Sequence, residues 1–402
     1  MAALNRSIED IRAEFPGLAG DWAPLDGAAG TQVPQAVIDA IAAALRDRMA
    51  NVHGAFAASE RSTAIVEEAR RAVADLVNGV PEGAILGPNM TTLTFHLADT
   101  LSAGWGPGDE IVVTSLDHDA NIRPWVIAAG RSGATVRWAE FDPGTGELSS
   151  ERVDDVIGER TRLVAVTAAS NAIGTRPDVR AIAERAHAAG ALIYVDGVHA
   201  TPHVPTDSRA LRADLYAFST YKLFGPHAGA VVAEPALLDT LSPSKLVPSP
   251  REVPDRFERG TPAFELLAGI TAAVDWLAAL TDTPGSRRER LVAALTAVEE
   301  YLAGLLRQAL DGLAGIDAVR LLGAPRRRTS TLSFVVEGHT PAAVAEHLAR
   351  RRVSVWDGDN YAYELMNRFG LGESGGAVRA SLVLYNTAAD VDRLVEAVAE
   401  LA

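Results

Sequence analysis

Two residues, Asp196 and Lys222, carry the chemistry that this sequence offers most openly. Ala191-Leu192-Ile193-Tyr194-Val195 is a short apolar run, the pattern of a strand buried on both faces of a parallel sheet. It ends on Asp196, and Gly197 turns the chain at once. A second run, Leu215 to Phe218, leads through Ser219, Thr220 and Tyr221 to Lys222. An acid and an amine that each lie just past the carboxyl end of a strand face one crevice. Such a pair suits pyridoxal phosphate, whose chemistry uses a lysine to hold the aldehyde as a Schiff base and a carboxylate to keep the pyridine nitrogen protonated. Taken by themselves, the two residues equally fit a plainer account, an exposed lysine and an acid that caps a helix.

The surrounding motifs favour the cofactor. VDGVHATPH and FSTYKLFGP resemble the signature of the class V aminotransferase family, in particular its cysteine desulfurases and selenocysteine lyases. The resemblance implies that Lys222 is the Schiff-base lysine, Asp196 the partner of the pyridine nitrogen, and His199 the residue that reaches the phenolic oxygen. It also implies that Ser219 binds the phosphate, with Tyr221 in place of a histidine that contacts it. Upstream, Ala84-Ile85-Leu86 reads as a strand followed by a small turn and a helix from Thr91, an arrangement that aims backbone N–H groups at a phosphate. A plain capped helix accounts for that stretch as well. Because the family has GTTEGIN here, the resemblance makes Thr91 and Thr92 phosphate ligands, although Asn89 and Met90 precede them and no Glu-Gly follows.

Asp117-His118-Asp119-Ala120-Asn121-Ile122-Arg123-Pro124-Trp125 is similar to the family's EHHANIVPW, whose first histidine stacks on the pyridine ring. His118 takes that place, from which an imidazole could also shuttle protons. Ser170-Asn171-Ala172-Ile173-Gly174-Thr175 resembles SNVLGT and makes Asn171 a contact of both cofactor and substrate carboxylate. Glu258-Arg259-Gly260-Thr261-Pro262 resembles AGTPN, which implies that Thr261 reaches the phosphate of a neighbouring subunit in a homodimer. Near the C-terminus, Val378-Arg379-Ala380-Ser381-Leu382 belongs to a run like RASLAMYNT. Its arginine grips the substrate α-carboxylate, a task that a guanidinium fork suits.

One segment departs from the pattern. Desulfurases carry RTGHHCAMPLM, whose cysteine attacks sulfur, whereas this chain has Trp356-Asp357-Gly358-Asp359-Asn360-Tyr361-Ala362-Tyr363-Glu364-Leu365-Met366. Tyr361 occupies the cysteine position and Trp356 that of an arginine. Tyr361 can donate a proton to substrate or shape the pocket. No cysteine occurs anywhere in the 402 residues, which excludes disulfides, thiolate metal sites and a cysteine nucleophile.

These residues need a scaffold, and the pattern supplies one. Strands and helices alternate from residue 84 to 233, as in a mostly parallel sheet covered by helices on both faces. The expected fold is α/β, the PLP-dependent transferase fold type I, with a smaller α+β C-terminal domain. Residues 16–282 are expected to form the large cofactor domain and residues 283–402 the small one, joined by residues 1–15. Further expectations are an amphipathic helix opened by Pro34 with Val37, Ile38, Ile41 and Leu45 on one face, and a helix from about Ser59 to Asn78 stopped by Gly79. Leu241 to Gly260 reads as a proline-rich loop, Val353 to Trp356 as one strand, and Arg326-Arg327-Arg328 as a solvated loop.

Composition narrows the partners. A net charge of −15, from 52 acidic and 37 basic residues, argues against nucleic acid and anionic membranes. No uncharged apolar run is long enough to span a bilayer, and the opening residues lack a signal peptide's apolar stretch, so a cytoplasmic location is expected. The expected activity is a PLP-dependent reaction on a small α-amino acid, with β-elimination of a sulfur or selenium group ranked first. Transamination or epimerisation stands as the alternative, and a non-catalytic subunit of this fold as a remoter one.

Overall fold

A computed structural model describes residues 3–402. Its main layer has seven strands: β1 (Ala84–Gly87), β2 (Glu110–Thr114), β3 (Thr135–Ala139), β4 (Thr161–Thr167), β5 (Leu192–Asp196), β6 (Leu215–Ser219) and β7 (Gly229–Ala233). They lie in the order β1-β7-β6-β5-β4-β2-β3. Pairing is parallel from β6 across to β3, while β7 runs antiparallel to both β6 and β1. The carboxyl ends of β1, β2, β4, β5 and β6 therefore emerge along one edge.

The strand sequences explain the two-sided burial. Successive side chains point to opposite faces, and both sets are apolar. Val112, Val164, Ile193, Val195 and Phe218 enter one core, which the helices Ala57–Val77, Phe264–Ala278 and Arg287–Ala314 complete. Ile111, Val113, Leu163, Tyr194 and Leu215 enter the other, closed by the helices Met90–Ser102 and Arg123–Ser132. The long helix Arg287–Ala314 starts in a capping box, Ser286 with Glu289, which satisfies backbone donors that a helix start leaves free. The mixed α/β expectation holds.

A second sheet contains β8 (Val319–Leu321), β9 (Thr331–Val336), β10 (Trp356–Gly358) and β11 (Ala377–Ser381), ordered β10-β11-β9-β8 and antiparallel throughout. Arg379 on β11 lies between Trp356 and Ser333. The N-terminal segment binds this sheet region to the rest: Ala23–Pro24 pairs with Val353–Ser354, and Asp26 bridges to Ser381. Arg12 donates to the Tyr385 carbonyl at 3.0 Å and pairs with Asp390 at 2.8 Å. Among the described residues no helix is long and apolar enough to cross a membrane.

Several local expectations are corrected. The helix expected from about Ser59 to Asn78 spans Ala57–Val77, and the left-handed cap is Asn78 itself, at φ 60°, rather than the following Gly79. Val353 to Trp356 is not one strand but two short ones that leave in different directions, one to Ala23–Pro24 and one to β11. On the helix Gln35–Arg46 Val37 is buried, but Ile38 and Leu45 are exposed, so the apolar stripe is only partly covered by this chain. Arg328 is half-buried rather than solvated.

Gly229 fixes the relation between β7 and the start of the helix Met90–Ser102. A Cβ at this position falls 2.6 Å from the Asn89 backbone carbon, closer than packed atoms tolerate. Gly229→Ala is expected to cost roughly 1–3 kcal/mol, the usual penalty for overpacking, seen as a lower urea midpoint. An unchanged midpoint would mean that the turn yields freely.

Candidate active site

The residues expected to do chemistry converge on the shared strand edge. Asp196 ends β5 and is nearly fully buried; its Oδ1 accepts the Val198 N–H at 2.9 Å. Lys222 ends a short 3-10 turn, Thr220–Lys222, and is 6% exposed. That turn is held by Thr220, whose hydroxyl donates to the Pro226 carbonyl at 2.6 Å. Asp196 and Lys222 share a recess with Met90, Thr91, His118, Asn171, His199, Ser219 and Tyr221. The recess opens into a crevice of about 1010 Å³ that adds Thr92, Arg123, Trp356, Asp359, Asn360, Tyr361 and Arg379.

Burial dominates the electrostatics. It raises the Asp196 carboxyl to about 6, against a backbone donor and the Lys222 charge that lower it. It lowers the Lys222 amine to about 8, helped by Arg379 and opposed by Asp196. Arg379, buried on β11, is pulled down to about 10. His118 falls to about 3 through burial and the nearby Lys222 and Arg379 charges, so its ring is neutral at ordinary pH. A neutral ring is suited to stacking; as a proton carrier it is a poor choice.

The phosphate end has a different cap from the one expected. The helix starts at Met90, with Asn89 accepting the Thr92 N–H at 2.8 Å. Ser219 Oγ accepts the Met90 N–H at 2.9 Å. Thr91 and Thr92 are exposed in the first turn and line the crevice. Tyr221 stacks on His227 with centroids 5.1 Å apart and planes within 7°. Thr261 is exposed and lines neither the recess nor the crevice of this chain.

The departing segment closes the crevice. Asn360 and Tyr361 both adopt positive φ, 54° and 55°, an uncommon and costly backbone for a tyrosine. The Asp119 N–H donates to the Tyr361 carbonyl at 2.7 Å, and Asn171 Nδ2 donates to the Asn360 carbonyl at 2.9 Å. Tyr361 stacks on His118 with centroids 5.4 Å apart and planes within 15°, while its side remains open to solvent at 72% exposure. Arg379 Nη1 donates to the Asn171 carbonyl at 3.2 Å.

Three functional contributors were not singled out from the sequence. Asp117 is fully buried behind His118; its Oδ1 accepts Asn121 Nδ2 at 2.6 Å and it also bonds Thr114. Burial lifts this carboxyl to about 8. Asp26 is the carboxylate that acts on Arg379. His203 hydrogen-bonds the His199 and Leu382 carbonyls, joining the cofactor side to the strand that carries Arg379. The acidic first letter of the EHHAN-like motif was the available hint for Asp117, the last letter of VDGVHATPH that for His203, and the small-residue turn Pro24–Gly30 that for Asp26.

Four buried polar atoms at the site have no partner among the described residues: both ring nitrogens of His199, Asn171 Oδ1 and Arg379 Nε. Buried polar groups normally find one. Pyridoxal phosphate and an amino acid together offer a phenolic oxygen, an amine and a carboxylate, so the residues present fit the group. Asn171 differs in detail from expectation. Its amide N–H is used by Asn360, and the free oxygen suits an amine better than a carboxylate.

The model of the class-V aminotransferases matches residues 24–394. The chain belongs to that family. It is similar to an uncharacterised protein of Mycobacterium tuberculosis strain CDC 1551 / Oshkosh, 36% identical over 396 residues, covering 98% of this chain and 99% of the relative. A cysteine desulfurase of Klebsiella pneumoniae subsp. pneumoniae is 33% identical over 413 residues, covering 98% and 97%. Among solved structures, the apo cysteine desulfurase of Thermococcus onnurineus NA1 superposes with a TM-score of 0.90 at 28% identity, covering 100% and 99%. The class-V chain is thus a PLP-dependent enzyme of fold type I.

A lysine amine attacks an aldehyde only when neutral. Capture of pyridoxal phosphate by the apoenzyme should therefore accelerate as pH rises through about 8, the value to which burial lowers Lys222. Stopped-flow absorbance gives the profile, and a flat one refutes the assignment. Lys222→Ala should bind the cofactor without a borohydride-fixable link.

Proposed function

We propose that this enzyme eliminates a β-substituent from an α-amino acid, a C–S or C–Se lyase reaction in which sulfur is never carried on the protein. The observation that carries the reading is Tyr361: it stands against His118 in the crevice, in a chain without cysteine. A phenol supplies no thiolate to take up sulfur.

Lys222, Asp196, His199, Asn171, His118, Tyr221, Ser219, Thr91 and Thr92 are the residues that would hold pyridoxal phosphate. Bound there, the cofactor supplies an electron sink for charge at the substrate's Cα. Arg379 receives the α-carboxylate, which meets its unpartnered Nε. Asn171 Oδ1 accepts from the substrate amine. Lys222, desolvated and lowered to about 8, takes the α-proton. Asp196 keeps its negative charge at neutral pH, since its value of about 6 lies below it. The leaving sulfur departs with the electron pair of the broken C–S bond and takes a proton at the open mouth beside Tyr361, whose main work is to shape that mouth.

The active unit is a homodimer in this reading. Ile38, Leu45 and Phe56 are exposed at 40%, 59% and 52%, an apolar surface that a second copy would cover. Thr261, outside its own crevice, is then free to reach the neighbour's phosphate.

Arg379→Lys should raise KM for amino-acid substrates about ten- to a hundred-fold, because a charged hydrogen bond is worth roughly 1.5–3 kcal/mol. Equal KM values in both forms would make the arginine structural. After incubation with cystine and removal of small molecules, the intact protein mass should be unchanged while sulfide or a small persulfide appears in solution. A stable gain of one sulfur atom sinks the proposal.

A further inference from the structure

A buried Nε without a partner recurs in several arginines of this chain, Arg290 among them, but Arg379 and Arg328 combine it with a wall position in a cavity. Arg379 makes one hydrogen bond, to the Asn171 carbonyl, and its buried Nε has no partner. Arg328 likewise makes one, from Nη2 to the Thr331 carbonyl at 2.9 Å, and its buried Nε has no partner either. Among the described residues neither takes part in an ion pair, although salt bridges are plentiful: Arg70 holds Asp255 and Glu258, and Arg176 holds Glu299. Burial lowers both Arg328 and Arg379 to about 10. Asp26 acts on Arg379 from beyond ion-pair distance, whereas burial alone acts on Arg328. A cation largely removed from water without a close carboxylate is costly, and a chain of net charge −15 has no shortage of carboxylates to offset it. At Arg379 the missing partner is the substrate carboxylate.

Arg328 faces a separate cleft of about 310 Å³, between the helix Arg287–Ala314 and the loop 326–330. Leu306 and Leu310 form apolar wall; Arg307, in no ion pair among the described residues, adds a second cation, and Arg326, which pairs with Glu147, a third. Two acids line the cleft as well: Glu299 is engaged by Arg176 at 2.5 Å, and Asp311 forms no ion pair. His203 also borders it, with its ring 4.6 Å from that of His199, which lines the cofactor recess. The two cavities are thus separated by a pair of imidazoles.

We propose that this cleft is a second binding site, for a small metabolite held through a carboxylate or phosphate by Arg328 and Arg307. Arg328 Nη1, which makes no hydrogen bond among the described residues and is not closed off from solvent as Nε is, gives with Nη2 the edge that binds two oxygens of such a group. Asp311 sets the character of the rest of the ligand, which is neutral or cationic beyond its oxyanion.

The test uses holoenzyme, whose cofactor already fills the catalytic phosphate site, titrated with acetate or with inorganic phosphate at constant ionic strength balanced by chloride. Thermal unfolding should rise with a saturable dependence on at least one probe, and which probe saturates identifies the oxyanion class. Arg328→Gln should weaken that binding at least tenfold. Arg307→Gln, on an exposed helix face and safe for folding, should weaken it several-fold and keeps the test decisive if the first variant unfolds. Arg379→Gln should leave it unchanged. Absence of saturation with both probes overturns the site, as does affinity that survives Arg328→Gln and Arg307→Gln. Loss of binding in Arg379→Gln alone would assign the effect to the substrate crevice instead.

Discussion

A buried ammonium and a buried carboxylate at one sheet edge, without an ion pair between them, set the terms for the rest of this structure. Each is removed from water at a cost of several kcal/mol, and their mutual attraction does not fully offset it. Asp196 is raised and Lys222 lowered, which is the direction expected when desolvation outweighs attraction. The two apolar cores on either side of the sheet are what allow the fold to carry this cost. They also hold the groups in place: β5 and β6 are adjacent and parallel, so Asp196 and Lys222 cannot drift apart without breaking the sheet. The site is strained electrostatically and rigid mechanically, a combination suited to a ligand that brings the complementary groups.

The second sheet completes the site and does not merely cover it. Arg379 reaches the crevice only because β11 is central in its own sheet, flanked by β10 and β9. Connections from the N-terminal segment to Val353, Ser354 and Ser381 hold that sheet against the first. His203 adds a link through the Leu382 carbonyl. The left-handed pair Asn360-Tyr361 is stabilised by two hydrogen bonds that cross from the first sheet's loops, Asp119 to Tyr361 and Asn171 to Asn360. Local strain at the mouth is thereby sustained by contacts from outside the loop.

Much of this was legible in the sequence, for identifiable reasons. Parallel strands buried on both faces produce uninterrupted apolar runs, so β4, β5 and β6 announce themselves, and the residues just past their ends are fixed by topology. That is why Asp196 and Lys222 could be placed together, whereas Asn171 joined them through its resemblance to the family's SNVLGT motif. Features decided by long-range packing were less visible. Asn89 outcompetes the threonines as helix cap, a choice among neighbouring polar residues that spacing alone leaves open. Asp117 looks like a surface acid until the strands bury it, and Arg328 looks solvated because three arginines in a row usually are. The break at Val355 depends on two partners that lie hundreds of residues and one sheet apart, at Ala23 and Arg379.

The same reasoning separates what the scaffold decides from what it leaves free. Cofactor-side residues hang from strand ends and short turns, where backbone position is dictated by the sheet. The mouth residues Asn360 and Tyr361 sit on a loop whose path is set by a few hydrogen bonds, and Trp356 starts the edge strand β10, so their identities can change while the fold does not. Family likeness at 33% identity to a cysteine desulfurase therefore speaks strongly for the first group and weakly for the second. An exposed aromatic ring stacked on His118 borders a mouth of about 1010 Å³. Under the proposed elimination, that open side would let a leaving group depart into water, with no thiolate in the chain to retain it.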